Sequence, residues 1–215
     1  MMRILIEVPT YDGKISPHTS ESLWRLDRCG HDVDYKPCIG YGCGMARNRI
    51  AADALAGGYD RLLMVDNDMA LPKDALANLI EDDKDIVMGW YLTRHGDGVA
   101  TTVFKTGDGW DAYSAHELIA MRDSGEYLAE IKGGGMGCCM FKPWVFSTLI
   151  FPWFEWADWG WEPVSADEVY GIAAKVKSGG EDVNFCDNAR AAGLRIHVDA
   201  RVACGHEFRE VRWPG

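Results

Sequence analysis

Arg61-Leu62-Leu63-Met64-Val65-Asp66-Asn67-Asp68 carries a short apolar run straight into two carboxylates separated by one residue. A run of this length without alternation is the pattern of a strand buried on both faces of a parallel sheet, and ligands of such sheets bind beyond the carboxyl ends of the strands. The residues upstream extend the pattern. Arg3 to Val8 is another run of Ile, Leu and Val, ended by Pro9 and the polar loop Thr10-Tyr11-Asp12-Gly13. A helix is expected around Ser20 to Cys29, closed by Gly30, and a second strand over His31 to Tyr35. Met45 to Ala56 reads as a helix with Ile50, Ala51, Ala54 and Leu55 on one face and Gly57-Gly58 at its end. Lys73 to Ile80 reads as another, followed by a strand over Asp85 to Tyr91. This β-α-β-α rhythm builds a parallel α/β sheet.

The second half changes character. Thr101 to Phe104, Glu117 to Arg122 and Tyr127 to Ile131 look like strands separated by turns, with Gly133-Gly134-Gly135 as punctuation. A helix is expected from Glu181 to Ala192 with Gly193 past its end, then a strand over Leu194 to Val198. No repeat, low-complexity segment or linker is visible, so the 215 residues read as one domain.

Composition limits the partners. A formal net charge of -11 repels phosphate backbones and anionic lipid, which argues against a nucleic-acid or membrane-binding face. The apolar start of the chain meets Pro9 too soon for a signal peptide or a membrane span. Seven cysteines without a C-x-x-C pair suit neither a disulfide framework nor a four-thiolate zinc site, and a reducing cytoplasm is the simplest expectation.

Asp66 and Asp68 can direct oxygen ligands at a hard divalent cation, Mn²⁺ or Mg²⁺, which keeps positions for water and phosphate oxygens. Asp66-Asn67-Asp68 is equally good turn chemistry. His206, after strand-like Arg201 to Cys204, can complete a carboxylate-carboxylate-imidazole set, although a single His is more often a surface or satisfied core residue. Glu181-Asp182 opens a helix, where acids are favoured by capping and by the helix dipole. The alternative is that Asp182 accepts a proton from an attacking hydroxyl, with the helix terminus holding its pKa low. Arg47-Asn48 can face a diphosphate or orient the first carboxylate, or simply lie at the surface. Gly40-x-Gly42-x-Gly44 lacks dinucleotide-binding spacing. Trp153, Trp156, Trp159 and Trp161 crowd together, as a platform for a sugar or as a hydrophobic contact surface.

The order of these parts resembles GT-A glycosyltransferases of the large inverting family typified by polysaccharide and O-antigen transferases. The matching pieces are Val8-Pro9-Thr10-Tyr11, Ala46-Arg47-Asn48-Arg49, Leu63-Met64-Val65-Asp66-Asn67-Asp68, Gly133 to Gly137 before Cys138-Cys139-Met140-Phe141, Gly180-Glu181-Asp182-Val183-Asn184-Phe185 and the late His206. The resemblance implies a Rossmann-like, mostly parallel central sheet flanked by helices, with a smaller antiparallel acceptor-side sheet. It implies a nucleotide-sugar-binding half over residues 1–95 and an acceptor and catalytic half over 96–215. Pro9, Thr10, Tyr11, Arg47, Asn48, Asp66 and Asn67 would then contact a UDP- or GDP-sugar, and Asp66, Asp68 and His206 a Mn²⁺ or Mg²⁺ ion. Asp182, with Glu181 beside it, would supply the base, and Gly134, Gly135, Trp153 and Trp156 would meet a carbohydrate or other hydroxyl acceptor. Where the family carries an acid after the second strand this chain has Tyr35-Lys36-Pro37-Cys38, which leaves the base of the donor open.

Two other readings share these parts. A sugar-phosphate nucleotidyltransferase is also α/β and metal dependent, but wants a Gly-rich basic loop after the first strand, which Thr10-Tyr11-Asp12-Gly13 does not supply. A non-catalytic nucleotide- or carbohydrate-binding protein would use the same site without turnover.

Overall fold

A computed structural model describes residues 1–95, 98–163 and 174–208. In chain order the elements are β1 (Arg3–Thr10), α1 (Pro17–Arg25), β2 (Asp32–Ile39), α2 (Cys43–Ala56), β3 (Arg61–Val65), β4 (Met69–Ala70), α3 (Ala75–Glu81), β5 (Ile86–Trp90), β6 (Leu92–His95), β7 (Gly98–Thr101), β8 (Val103–Lys105), α4 (Ala115–Ser124), β9 (Leu128–Gly134), β10 (Cys138–Phe141), α5 (Trp144–Thr148), β11 (Ala157–Pro163), β12 (Ala174–Gly179), α6 (Glu181–Ala191), β13 (Ile196–Ala203) and β14 (Gly205–His206).

Eight strands form one sheet in the order β2-β1-β3-β10-β5-β13-β9-β8. Pairing is parallel between β1 and both neighbours and between β5 and β13, while β9 and β10 run against the rest, so the sheet is mostly parallel in direction. Small antiparallel pairs stand apart from it: β11 with β12, β6 with β7, and β4 with β14. The apolar runs are explained by burial on two faces. In β3, Leu62 and Met64 join a core with α2, α5 and α6, while Leu63 and Val65 join one with α3 on the other side.

Several boundaries differ from expectation, each for a local reason. α1 starts earlier because Ser16 caps it, accepting from the His18 and Thr19 N–H groups, and Pro17 fits the first turn. It also ends earlier, since Asp27 accepts from the Cys29 N–H and turns the chain. β2 continues through Pro37, which an edge strand tolerates. Glu117 to Arg122 is helix α4 and not a strand. Ser114 and Glu117 form a reciprocal capping box and Gly125 closes the helix at φ 83°, signals that outweigh the short apolar run. Gly133 and Gly134 lie inside β9, where a Cβ would come within 2.7 Å of Cys186 and 2.6 Å of Met88 respectively, so close packing and not a turn requires them.

Glu7 is a local conflict within the sheet. It is fully buried in β1, neither carboxylate oxygen has a hydrogen-bond partner, and the Lys36 ammonium stands 3.8 Å away. Burial, only partly offset by Lys36, pushes its pKa up from 4.5 to about 7. The folded state therefore holds this proton more tightly than the unfolded state. The stabilisation is present below the usual carboxylate range and is lost as pH rises through about 7. A shift of this size corresponds to roughly 3 kcal/mol. Glu7→Gln is expected to flatten the fall in melting temperature between pH 5 and pH 8. An equal fall in both proteins would assign it to other groups.

Candidate functional site

The site begins where β3 ends. The Asp66 N–H donates to the Gly137 carbonyl at 3.0 Å, and the Met69 N–H donates back to the Asp66 carbonyl at 3.2 Å, so the chain turns as it leaves the sheet. Arg47, in the second turn of α2, points inward with 4 % of its side chain exposed. Its Nη2 donates to both Asp66 carboxylate oxygens, at 2.8 and 3.0 Å, and its Nη1 donates to Glu181 Oε1. Burial alone would lower the Arg47 pKa, but the charges of Asp66, Cys43 and Glu181 outweigh it and the pKa rises. Of its expected roles, Arg47 takes that of orienting the first carboxylate. Glu181, expected beside Asp182 in supplying the base, is buried against this guanidinium.

Asp182 is differently placed. Gly180 is the N-cap of α6 and makes no side-chain cap, so Asp182 sits one residue into the helix, with Oδ1 accepting from the Val183 N–H at 2.8 Å. Burial raises its pKa, opposed by that N–H and by Arg47. The expectation of a pKa held low by the helix terminus is therefore corrected: desolvation outweighs the dipole.

Asp68 and His206 meet through the β4 and β14 pairing, which sets His206 opposite Met69 and lets the Glu207 N–H donate to the Asp68 carbonyl at 2.9 Å. His206 Nδ1 lies 2.9 Å from the Leu92 carbonyl and Nε2 lies 3.5 Å from Asp68 Oδ2. Because a carbonyl can only accept, Nδ1 carries the proton. A neutral His206 then turns its Nε2 lone pair toward a carboxylate oxygen, an arrangement of two acceptors that a cation or a further proton satisfies. Among the described residues no three His, Cys, Asp or Glu side chains gather as a metal-ligand group. Of the expected trio of Asp66, Asp68 and His206, the last two face each other, while Asp66 accepts from Arg47 and keeps further lone pairs. A pair of this kind fits an ion that completes its shell with water and phosphate oxygens.

The remaining residues divide between surface and scaffold. Pro9 and Thr10 are buried at the end of β1, the Thr10 hydroxyl donating to the Lys14 carbonyl at 2.9 Å, while Tyr11 is 76 % exposed. Asn67 Nδ2 donates to that same carbonyl at 2.9 Å and so ties the β1 loop to the β3 turn. Asn48 is a correction. Its Nδ2 donates to the Gly44 and Phe154 carbonyls and its Oδ1 accepts from the Trp153 and Phe154 N–H groups, which leaves no capacity for a ligand. Trp153 packs on Phe146 and Phe151 and its indole donates to the Leu149 carbonyl, so it serves packing, whereas Trp156 is exposed. The side chains of Trp159 and Trp161 lie outside the described residues. Gly135 does not offer open space to an acceptor: a Cβ there would come within 2.2 Å of the Tyr91 hydroxyl oxygen. Tyr91 itself was not picked out by its sequence context. It is buried, and its pKa is raised first by burial and then by the charge of Asp66.

No protein-family model and no curated protein matches this chain by sequence. Solved structures do match it in shape. The A197 protein of STIV aligns at a TM-score of 0.58 with 16 % identity, over 97 % of this chain and 87 % of that one. GalNAc-T7, crystallised with UDP, GalNAc and Mn²⁺, aligns at 0.62 with 12 % identity, over 97 % of this chain and 44 % of its own. Residues 1–349 of S. aureus TarS, crystallised with UDP, align at 0.51 with 16 % identity, over 95 % of this chain and 60 % of that one. The fold is that of the GT-A glycosyltransferases. Arg47 links the carboxyl end of β3 to the first turn of α6, and the β4 and β14 pair follows directly on the turn that leaves β3.

Proposed function

We propose that this chain is a metal-dependent, inverting glycosyltransferase that moves a sugar from a UDP- or GDP-sugar to a hydroxyl acceptor. The observation that carries the reading is the single buried guanidinium that bonds Asp66 at the end of β3 and Glu181 next to Asp182. It links a donor-side carboxylate to the first residue of α6, whose neighbour Asp182 makes no bond to Arg47 and accepts from the Val183 N–H. The UDP in two neighbouring structures and the Mn²⁺ in one of them support the same assignment.

In this reading Tyr11 and the Pro9-Thr10 strand end meet the nucleobase, and Asp66, held by Arg47, meets the ribose. Asp68 and His206 hold Mn²⁺ or Mg²⁺, which when bound supplies positive charge for the departing diphosphate. Asp182 takes the acceptor hydroxyl proton as its oxygen bonds to the sugar C1, and the electron pair of the breaking C1–O bond leaves with the diphosphate. Trp156 is the exposed aromatic face for an acceptor. Residues 1–215 act as one domain, with the donor half in 1–95 and the acceptor half in 96–215. The protein works in the cytoplasm, a setting that suits its seven free cysteines. No helix among the described residues is long and apolar enough to cross a membrane.

The test is a thermal-shift titration with UDP and GDP, with and without Mn²⁺, in the wild-type protein and in Asp68→Ala. A ligand that binds the native state raises its melting temperature by mass action, about 2.7 kcal/mol at a hundredfold excess over Kd. The wild type is expected to show the shift with metal, and Asp68→Ala to lose it while keeping its fold. Undiminished Mn²⁺-dependent binding in a folded Asp68→Ala protein would remove the metal from this site. Nucleotide binding without donor hydrolysis or transfer would make the chain a binder.

A further inference from the structure

Tyr91 lies between β5 and β6, and the turn after β9 is shaped around it. A Cβ on Gly135 would stand 2.2 Å from its hydroxyl oxygen, and one on Gly137 would stand 2.9 Å from its Cε1 atom. Backbone therefore approaches the phenol from a side where side chains would collide. That backbone is itself fixed: the Gly135 N–H donates to the Thr102 carbonyl at 3.0 Å, and the Gly137 carbonyl receives the Asp66 N–H at 3.0 Å.

Elsewhere the ring meets His206. The two ring centroids are 5.2 Å apart at 72°, an edge-on contact. Phe208 flanks the imidazole as well, with centroids 5.0 Å apart, but is 38 % exposed, whereas Tyr91 is 8 % exposed and held by the glycine turn. His206 Nδ1 is fixed by the carbonyl of Leu92, the residue that follows Tyr91. One hydrogen bond leaves an imidazole free to swing about that contact; a rigid ring beside it removes the freedom.

We infer that Tyr91 is a positioning residue: its ring sets the plane of His206 so that Nε2 faces Asp68, and glycine at 135 and 137 admits that ring. The importance of this direction rests on the proposed function, in which His206 and Asp68 share a cation. Groups that orient a metal-binding histidine typically change metal affinity by about 10- to 100-fold when removed.

The experiment uses the full chain as wild type, Tyr91→Leu, Tyr91→Phe, Gly135→Ala and the Gly135→Ala/Tyr91→Phe double variant. One readout needs no metal: the His206 imidazole C–H resonances, assigned by their loss in His206→Gln, report the ring current of their neighbours. The other is Mn²⁺ affinity in the presence of UDP, with melting curves to establish folding. Tyr91→Leu is expected to move the His206 resonances and weaken Mn²⁺ binding about 10- to 100-fold. Gly135→Ala is expected to do the same by displacing the ring, and Tyr91→Phe to rescue it in part, because the oxygen at 2.2 Å is then gone while the ring carbon that bore it and the Thr102 hydroxyl remain at 3.0 and 3.1 Å. This rescue stays readable if Tyr91→Leu does not fold. Unmoved His206 resonances in a folded Tyr91→Leu protein, or no rescue of Gly135→Ala by Tyr91→Phe, would overturn the inference. A wild type that binds no Mn²⁺ with UDP would instead overturn the proposed metal site, while the metal-free resonances still judge whether Tyr91 positions His206.

Discussion

Asp182→Asn is expected to lower sugar transfer by roughly 10²- to 10⁴-fold at saturating donor, the range for losing a positioned general base. Nucleotide affinity should stay nearly constant, since nothing in its geometry ties Asp182 to the donor-side carboxylates. The fold should tolerate the change. Gly180 and not Asp182 caps α6, and removing a buried charge whose pKa burial has already raised relieves a desolvation penalty. The raised pKa also gives a pH signature: activity needs the carboxylate, so the wild-type rate should fall on acidification above the ordinary Asp range. Asp182→Asn should lack that limb. Glu181→Gln is the contrasting variant, because Glu181 faces Arg47; its change should lower melting temperature more than Asp182→Asn does. A normal transfer rate in Asp182→Asn would remove the base and with it the reason for calling the enzyme inverting. A rate loss confined to Glu181→Gln would move the base one residue back.

The parts of this chain legible in its sequence are those decided by local pattern. The β3 strand over Arg61 to Val65 has its expected ends because a doubly buried strand must be apolar throughout and the carboxylates that follow cannot enter the core. The meeting of Asp68 with His206 is suggested by ligand chemistry and by family resemblance but by no local pattern, for it depends on a two-residue strand, β14, pairing across most of the chain. Glu117 to Arg122 has a short apolar run that suits a strand, yet Ser114 and Glu117 three residues apart form a capping box that makes it a helix. Other functions could not be read locally. Asn48 suggests a donor contact by its place beside Arg47, yet three of its four hydrogen bonds go to a segment more than a hundred residues away and the fourth to Gly44 in its own helix. The glycines of residues 133–137 looked like turn punctuation, and only the packed structure reveals Cys186, Met88 and Tyr91 filling the space that side chains would need. Glycine required by a neighbour leaves no periodic signal.

Arg47 should give the largest loss of stability of any single change at the site. Arg47→Met keeps most of the volume but leaves Glu181, 6 % exposed, and the inner side of Asp66 without their cation. Breaking a buried ion pair from one side typically destabilises by about 3–5 kcal/mol, because the remaining charge is desolvated without compensation. Arg47→Lys should recover only part of this. A single ammonium lacks the planar fork that now gives Nη2 to Asp66 and Nη1 to Glu181 at once. The double variant Arg47→Met/Glu181→Met separates structure from function. With both buried charges removed its melting temperature should rise well above that of Arg47→Met, as apolar replacements of buried pairs often do. Its transfer rate should nevertheless stay low, because Asp66 no longer has the guanidinium that fixes both of its oxygens. Chemical denaturation of the four proteins, read beside transfer at saturating donor, checks both halves. Wild-type stability and turnover in Arg47→Lys would show that a point charge suffices there, whereas recovery of stability and rate together in the double variant would make Arg47 a folding residue and leave the orientation of Asp66 to the turn after β3.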